Sequence, residues 1–286
     1  MFHVRMFTWA IFHLVLLLSA CNIGERPPVK GQQEKETQQV KVDSFKGILD
    51  SAGVNGSVLI YDQARDIYYS NDFERCELGH LPASTFKIPN SIIALETGVI
   101  ESDSTLIPWD RQPRKIKAWE QDLVFRDAFH LSCVPCYQEI ARKIGVQRMK
   151  EYLVKLDYGE MIIDSATLDL FWLEGDSKIS QFQQVDFLRR FYNSQLPITS
   201  RTENIMKRLM VIEENGDYKL SGKTGWSSRN GNNNGWFIGY LEKGPDIYFF
   251  ATNIDPGSEF NMEMFPMIRK EITMKAMEQL LMKENL

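Results

Sequence analysis

"GWFIGYLE", Gly235–Glu242, followed after three residues by "DIYFFATNI", Asp246–Ile254, decides the fold. Both runs are rich in aromatic and β-branched residues and are parted by a short Gly-Pro turn, so both read as strands. "KLSGKTGW", Lys219–Trp226, adds a third strand just upstream, and "SSRNGNNNG" between it and Gly235–Glu242 is built from turn residues. Near the other end, "GSVLIYD" (Gly56–Asp62) and "DIYYSND" (Asp66–Asp72) read as two more strands joined by a short turn.

The middle of the chain has a different grain. From Thr97 to about Tyr192 the pattern is irregular and helical, with Ser180 placed to cap a helix whose Val185, Leu188 and Phe191 share one face. Asp43 is expected to cap a short helix carrying Phe45, Ile48 and Leu49, and a last amphipathic helix presents Ile268, Ile272, Ala276 and Leu280. Strands at both ends around a helical block predict an α+β fold, with a helical lobe over about residues 99–194 inserted into a lobe built from the two ends. The crevice between such lobes is a natural place for a site.

The chain has 286 residues, 43% of them hydrophobic and 25% charged, and a formal net charge of −5. That is ordinary globular composition, long enough for one large domain, without the clustered basic surface that nucleic acid requires. Met6–Leu18 is almost wholly apolar behind Arg5, which is the form of a secretory signal rather than of a membrane span. "LSAC" (Leu18–Cys21) then reads as a lipobox. Residues 1–20 are therefore expected to be removed and Cys21 lipidated, with 21–42 as a polar, Gln-rich tether and 43–286 as the catalytic domain. Asn22 is compatible with sorting to the outer membrane. The expected location is the periplasm, with membrane contact only through the anchor. Oligomeric state is not legible.

Cysteines and histidines narrow the chemistry. Cys76, Cys133 and Cys136 remain after Cys21, and packing as small core thiols is the favoured reading, with a disulfide to Cys76 as the alternative. Cys133-x-x-Cys136 lacks the second pair that would complete a zinc site, so no metal is expected. Of the four histidines, His3 and His13 fall in the signal segment, leaving His80 and His130, and no G-x-S-x-G elbow accompanies them. A hydrolase without a histidine base would turn to lysine.

"LPASTFKIPNS" (Leu81–Ser91) offers one. Ser84 and Lys87 stand three apart, so on a helix they share a face. Lysine is ordinarily protonated up to a pKa near 10.4, but apolar neighbours such as Phe86 and Ile88 favour its neutral form. On this tetrapeptide alone, a helix start with a surface charge is the better explanation, because such tetrapeptides occur by chance in many proteins. "KTG" (Lys223–Gly225) on a strand and Ser132-Cys133-Val134 at a helix start complete a set whose order, S-x-x-K, S-x-V, K-T-G, chance rarely supplies. Gly225 is expected to admit a ligand close to the strand, and Lys223 and Thr224 to bind an anion.

Taken together these motifs resemble those of the penicilloyl-serine transferases, and specifically the class D (oxacillinase-type) serine β-lactamases. "PASTFKIPNS" (82–91), "FWLEG" (171–175) and "FPMIRKEI" (265–272) carry the likeness along with the motifs above, over about residues 43–282. The resemblance implies an antiparallel sheet of five to seven strands flanked by helices, and hydrolysis of β-lactam antibiotics that confers resistance. It implies that Ser84 is acylated and that Lys87 reacts with CO₂ to become N6-carboxylysine, the general base, with no other cofactor. Trp172 would hydrogen-bond that group, and Val134 and Leu173 would wall the pocket. Ser132 would relay a proton. Lys223, Thr224 and Arg269 would hold the substrate carboxylate, and the backbone N–H groups of Ser84 and Trp226 would form the oxyanion hole. Tyr158-Gly159-Glu160 departs from the family's Y-G-N by exchanging an amide for a carboxylate.

Three other readings compete. A β-lactam-sensing receptor shares the motifs but keeps the acyl group, and such receptors normally carry several membrane helices. A transpeptidase usually has S-x-N where Val134 stands here. A noncatalytic wall-binding lipoprotein leaves the apolar lysine unexplained.

Overall fold

The computed structural model describes residue 1, residues 37–229 and residues 231–284. The expected signal segment, the lipidated Cys21 and the tether as far as residue 36 lie outside the described residues.

In chain order the elements are β1 (Gln38–Lys41), α1 (Asp43–Ser51), β2 (Val54–Asp62), β3 (Ile67–Ser70), α2 (Phe73–Glu77), a 3₁₀ turn (Ala83–Phe86) and α3 (Lys87–Glu96). There follow β4 (Leu106–Ile107), a second 3₁₀ turn (Lys117–Trp119), β5 (Leu123–Val124), α4 (Phe125–His130), α5 (Val134–Ile144), α6 (Val146–Leu156), α7 (Gln181–Tyr192) and α8 (Ser200–Leu209). The chain returns to the sheet with β6 (Val211–Glu214), β7 (Lys219–Arg229), β8 (Asn232–Lys243) and β9 (Asp246–Pro256), and α9 (Phe265–Glu284) closes it.

Seven strands form one sheet in the order β1-β3-β2-β9-β8-β7-β6. The two ends of the chain meet where β2 pairs antiparallel with β9, Val58 opposite Thr252. Alternation then sorts the side chains. Trp236, Ile238 and Tyr240 of β8 face one apolar core, and Phe237 and Leu241 face the other. The second core is closed by α1 and α9, whose Ile268, Ile272, Ala276 and Leu280 are buried, as the sequence pattern requires. The first is closed by α3 and α7 and continues into the helical lobe.

Four expectations are corrected here. Residues 38–41 of the supposed tether are a strand, and β1 pairs parallel with β3, Gln38 opposite Ile67, so the sheet is antiparallel except at this edge. Asp43 is the first helical residue of α1 and not its cap: the N-cap is Val42, without a side-chain bond, and Asp43 sits where a carboxylate meets the positive end of the helix. Helix α7 does have Ser180 and Gln183 in a reciprocal capping box, but it covers the sheet rather than belonging to an inserted lobe. Buried Gln181 fastens it there, donating to Ala251 O (2.6 Å) and Ser57 O (3.1 Å) while accepting from the Ser57 hydroxyl. Helix α8 packs on α3 and so extends the helical lobe past residue 194.

Helix α3 is the axis of the molecule. Every residue from Lys87 to Leu95 is buried, because the sheet side and α5, α6 and α8 enclose it. A helix wrapped on all sides carries no polar stripe, which is why its period is weak in the sequence.

Candidate active site

The 3₁₀ turn delivers Ser84 to the start of α3. Pro89 falls in the first turn of α3, where its missing N–H leaves no gap in the helix bonding. Ala83, just before the serine, has φ of 50°, a conformation held because its N–H donates to Trp172 O at 2.8 Å. From the sheet side, Trp236 Nε1 (2.8 Å) and Asn234 Nδ2 (2.9 Å) both donate to Leu81 O. From α7, Gln184 Nε2 donates to Thr85 Oγ1 at 3.0 Å, and that hydroxyl donates to Pro82 O at 2.6 Å. Three separate parts of the fold therefore fix one turn.

Within it, Lys87 Nζ donates to Ser84 Oγ at 3.1 Å. Lys87 is 1% exposed and Ser84 8%. The amine lies 4.9 Å from the centre of the Tyr137 ring, whose hydroxyl bonds Ser91 Oγ at 2.7 Å. Burial, and next the charge of Lys223, hold the Lys87 amine well below the ordinary lysine range. A neutral amine beside a hydroxyl is a base, so the surface-charge reading of this stretch does not hold.

Ser132 and Lys223 form the opposite wall. Lys223 Nζ donates to Ser132 Oγ and to Thr224 O, both at 3.1 Å, and sits 5.8 Å from the Phe129 ring centre. Burial, with the Arg269 charge behind it, brings Lys223 down to about 7. Arg269 donates from Nε to Phe265 O (3.0 Å), from Nη2 to Pro266 O (3.1 Å) and from Nη1 to Gly225 O. Three of the five donors of a guanidinium are thereby engaged, and two remain for a ligand. Among the described residues no carboxylate pairs with Lys87, Lys223 or Arg269, so three buried basic groups stand within charge reach of their neighbours without a counter-charge. Such a cluster favours an anion.

Gly225 serves a different purpose from the one expected of it. A Cβ there would stand 3.1 Å from Pro82 O and from Thr85 Cγ2, so what approaches the strand is the protein's own nucleophile turn. The missing side chain lets β7 lie against that turn, with Trp226 next along it, 39% exposed, its Nε1 donating to Asn233 Oδ1 at 3.0 Å. Thr224 and Val134 are half-buried, and half-buried Leu173 packs on the first core. Trp172 is fully buried, stacked on Phe86 at 5.4 Å, and its Nε1 has no hydrogen-bond partner. An orphaned indole N–H beside the nucleophile turn is a donor waiting for an acceptor that the protein itself does not provide.

The departure at Glu160 lies away from these groups. Its side chain is exposed, and its backbone exchanges hydrogen bonds of 2.8 Å with Lys178. The histidines stay outside the site as well: His80 packs edge-on against Trp236, and His130 ends α4 at the surface.

The cysteines overturn the disulfide expected to Cys76, and the core-thiol reading holds for Cys76 but not for Cys133 and Cys136. Cys133 and Cys136 form a disulfide, because the N-cap of α5 and the residue one turn on bring their Cα atoms to 5.4 Å, within bridging range. Cys76 is free and buried, bonded to Ser70 Oγ at 3.2 Å, and burial pushes its thiol up to about 11. Sequence reasoning also missed Tyr137, Ser91, Thr85 and Gln184. Only the spacing of Tyr137 on the inner face of α5, three residues after Val134, hinted at any of them.

Comparison with known proteins gives the same picture. Residues 54–278 match the family described as penicillin binding protein transpeptidase domain. Beta-lactamase OXA-10 of Pseudomonas aeruginosa is 41% identical over 238 residues, which are 82% of this chain and 88% of that protein. Beta-lactamase OXA-48 of Klebsiella pneumoniae is 39% identical over 257 residues, 90% of this chain and 94% of the other. The crystal structure of a class D β-lactamase from Sebaldella termitidis superposes with a TM-score of 0.81 at 36% identity, covering 85% of this chain and 98% of that one.

Proposed function

Since this chain belongs to the class D β-lactamases, we propose that it opens β-lactam rings through an ester on Ser84 and clears that ester with water, and so confers resistance to the antibiotic. The observation that carries this reading is the 3.1 Å contact between Ser84 Oγ and a lysine amine that is 1% exposed. A buried, neutral Lys87 can accept the hydroxyl proton as the oxygen attacks the lactam carbonyl. Ser132 Oγ, held by Lys223, is set to pass a proton to the departing lactam nitrogen. The free donors of Arg269, with Lys223 and Thr224, suit the carboxylate of the substrate, and the N–H groups of Ser84 and Trp226 suit the developing oxyanion.

Lys87 is further proposed to work as N6-carboxylysine. CO₂ adds only to a neutral amine, and the product supplies an anionic oxygen base that can serve attack on the carbonyl and, later, activation of water. Two features fit it. Trp172 Nε1 is buried without a partner, and the surrounding cationic groups lack a counter-anion.

The polar residues upstream of the domain are proposed to tether it to the outer membrane through lipidated Cys21, in the periplasm. Among the described residues no helix is long and apolar enough to cross a membrane.

Intact-mass spectrometry during incubation with a penicillin tests the reaction. The expected course is a transient adduct on Ser84 with steady product formation. An adduct that persists for hours identifies a receptor, and no adduct at all refutes both. Carboxylation is tested by ¹³C-bicarbonate: a carbamate signal that disappears in Lys87→Ala is expected, together with an activity loss on acidification that added bicarbonate reverses. Activity indifferent to bicarbonate would refute the carboxylated lysine and leave the acyl-enzyme standing.

A further inference from the structure

Ser132 holds φ of 53°, in the left-handed region that a serine occupies only under constraint. Its own N–H donates to Phe129 O at 3.1 Å, and that of Cys133 to Ala128 O at 2.9 Å. The next fixed point along the chain is the Cys133 side chain, bonded through sulfur to Cys136. The Ser132 hydroxyl meanwhile must stay within reach of Lys223 Nζ, now at 3.1 Å. A covalent ring therefore begins at the residue after a strained serine whose oxygen has a place to keep.

We propose that the Cys133–Cys136 disulfide is a positioning element for the Ser132 hydroxyl, and that thiol–disulfide exchange with a dithiol turns the hydrolase down. This rests on the assignment of Ser132 to proton transfer in the reaction above.

The bond is reachable. A cavity of about 460 Å³ is lined by both cysteines together with Trp109, Trp119, Arg142 and Lys143. Cys136 is half-buried and Cys133 is 1% exposed, so Cys136 Sγ is the sulfur open to attack. When a dithiol's thiolate attacks it, the sulfur–sulfur bond breaks and the electron pair passes to Cys133 Sγ. That sulfur already accepts the Cys136 N–H at 3.2 Å, at the start of an eleven-residue helix, where a thiolate is favoured and leaves readily. The reagent's second thiol then displaces Cys136 and closes a cyclic disulfide. Two electrons have passed to the protein, and the two protons of the dithiol finish on Cys133 and Cys136.

The consequence is local. The ring spans only residues 133–136, so its loss leaves the global fold intact, but it frees the backbone next to Ser132 to relax from its positive φ. Trp119 Nε1, which donates to Leu131 O at 3.1 Å, braces the other side of the same loop and keeps the change small.

The test uses the full chain carrying Cys21→Ser and Cys76→Ala, so that Cys133 and Cys136 are the only cysteines left to change. After dithiothreitol, titration should find two new thiols per chain. The turnover number for β-lactam hydrolysis should fall about tenfold at nearly constant KM, with little change in the unfolding temperature, and reoxidation should restore it. The double variant Cys133→Ala/Cys136→Ala should show the same loss and no response to the reagent, which decides the matter even where the folded protein resists reduction. In Ser132→Ala, reduction should add nothing further. Turnover within twofold of wild type in the double variant overturns the proposal. Wild-type turnover in Ser132→Ala would instead overturn the assignment of Ser132, and the proposal with it.

Discussion

With bicarbonate excluded, so that Lys87 carries no carbamate, replacing Lys223 by Met should make this enzyme more stable and less active, and the gain in stability should vanish at high pH. Burial lowers Lys223 from its ordinary 10.5 to about 7. The sign follows directly: between pH 7 and 10.5 the unfolded chain carries a proton that the folded one has released, so stability rises with pH across that window. Below pH 7 the full penalty applies, about 5 kcal/mol at 1.36 kcal/mol per pH unit. Methionine fills much the same space without a charge, but gives up the bonds to Ser132 Oγ and Thr224 O, about 1 kcal/mol each. The net gain at pH 7 is then about 3 kcal/mol, or roughly 10 °C in Tm for a chain of this size. By pH 9.5 only about 1 kcal/mol of the penalty survives, so the variant should fall slightly below wild type. Thermal and urea unfolding of both proteins at pH 7 and 9.5 checks this. A variant less stable than wild type at pH 7, or one whose advantage does not change with pH, refutes the idea that a desolvated charge is being held in the site.

Other parts of the fold give their own expectations. Gly225→Ala sets a methyl 3.1 Å from Pro82 O, so the Ser84 turn must shift by a few tenths of an ångström; turnover of a chromogenic cephalosporin should drop roughly threefold to tenfold, with about 1–2 kcal/mol lost from stability. Gln181→Ala removes the side chain that ties α7 to Ser57 and Ala251 and leaves their buried groups unpaired, which urea unfolding should register as a loss of about 2–4 kcal/mol. Glu160→Asn restores the amide usual in the family, yet kcat/KM should stay within about twofold and stability within about 0.5 kcal/mol, because the side chain is exposed and only its backbone is bonded.

How much of this was legible in the sequence depends on how local each cause is. The runs at 56–62, 235–242 and 246–254 announce their strands because each alternates between two cores, and the observed strands extend those runs by up to a few residues. Ser84 and Lys87 were legible because three residues of helical spacing bring them together. What the sequence hid was set by distant partners. Gln38–Lys41 has a mostly exposed, polar pattern, and only the free edge of β3 makes it a strand. Tyr137 meets Lys87 across two packed helices, a contact that depends on how α3 and α5 lie together. Gly225 looked like room for a ligand, and only the tertiary fold shows that the nucleophile's own turn takes that room. The free and bonded cysteines could not be told apart by count; a helix cap and the reach of one turn decided the pairing.

The parallel strand at the edge of the sheet sets the direction of the whole enzyme. From β1 to β7, which carries Lys223 and Gly225, there are five steps across the sheet, about 24 Å at the usual strand spacing. Whatever holds the chain upstream of Thr37 therefore grips it by the edge farther from the catalytic strand. A pull on that end is taken by the β1–β3 ladder and does not load the turn that holds Ser84.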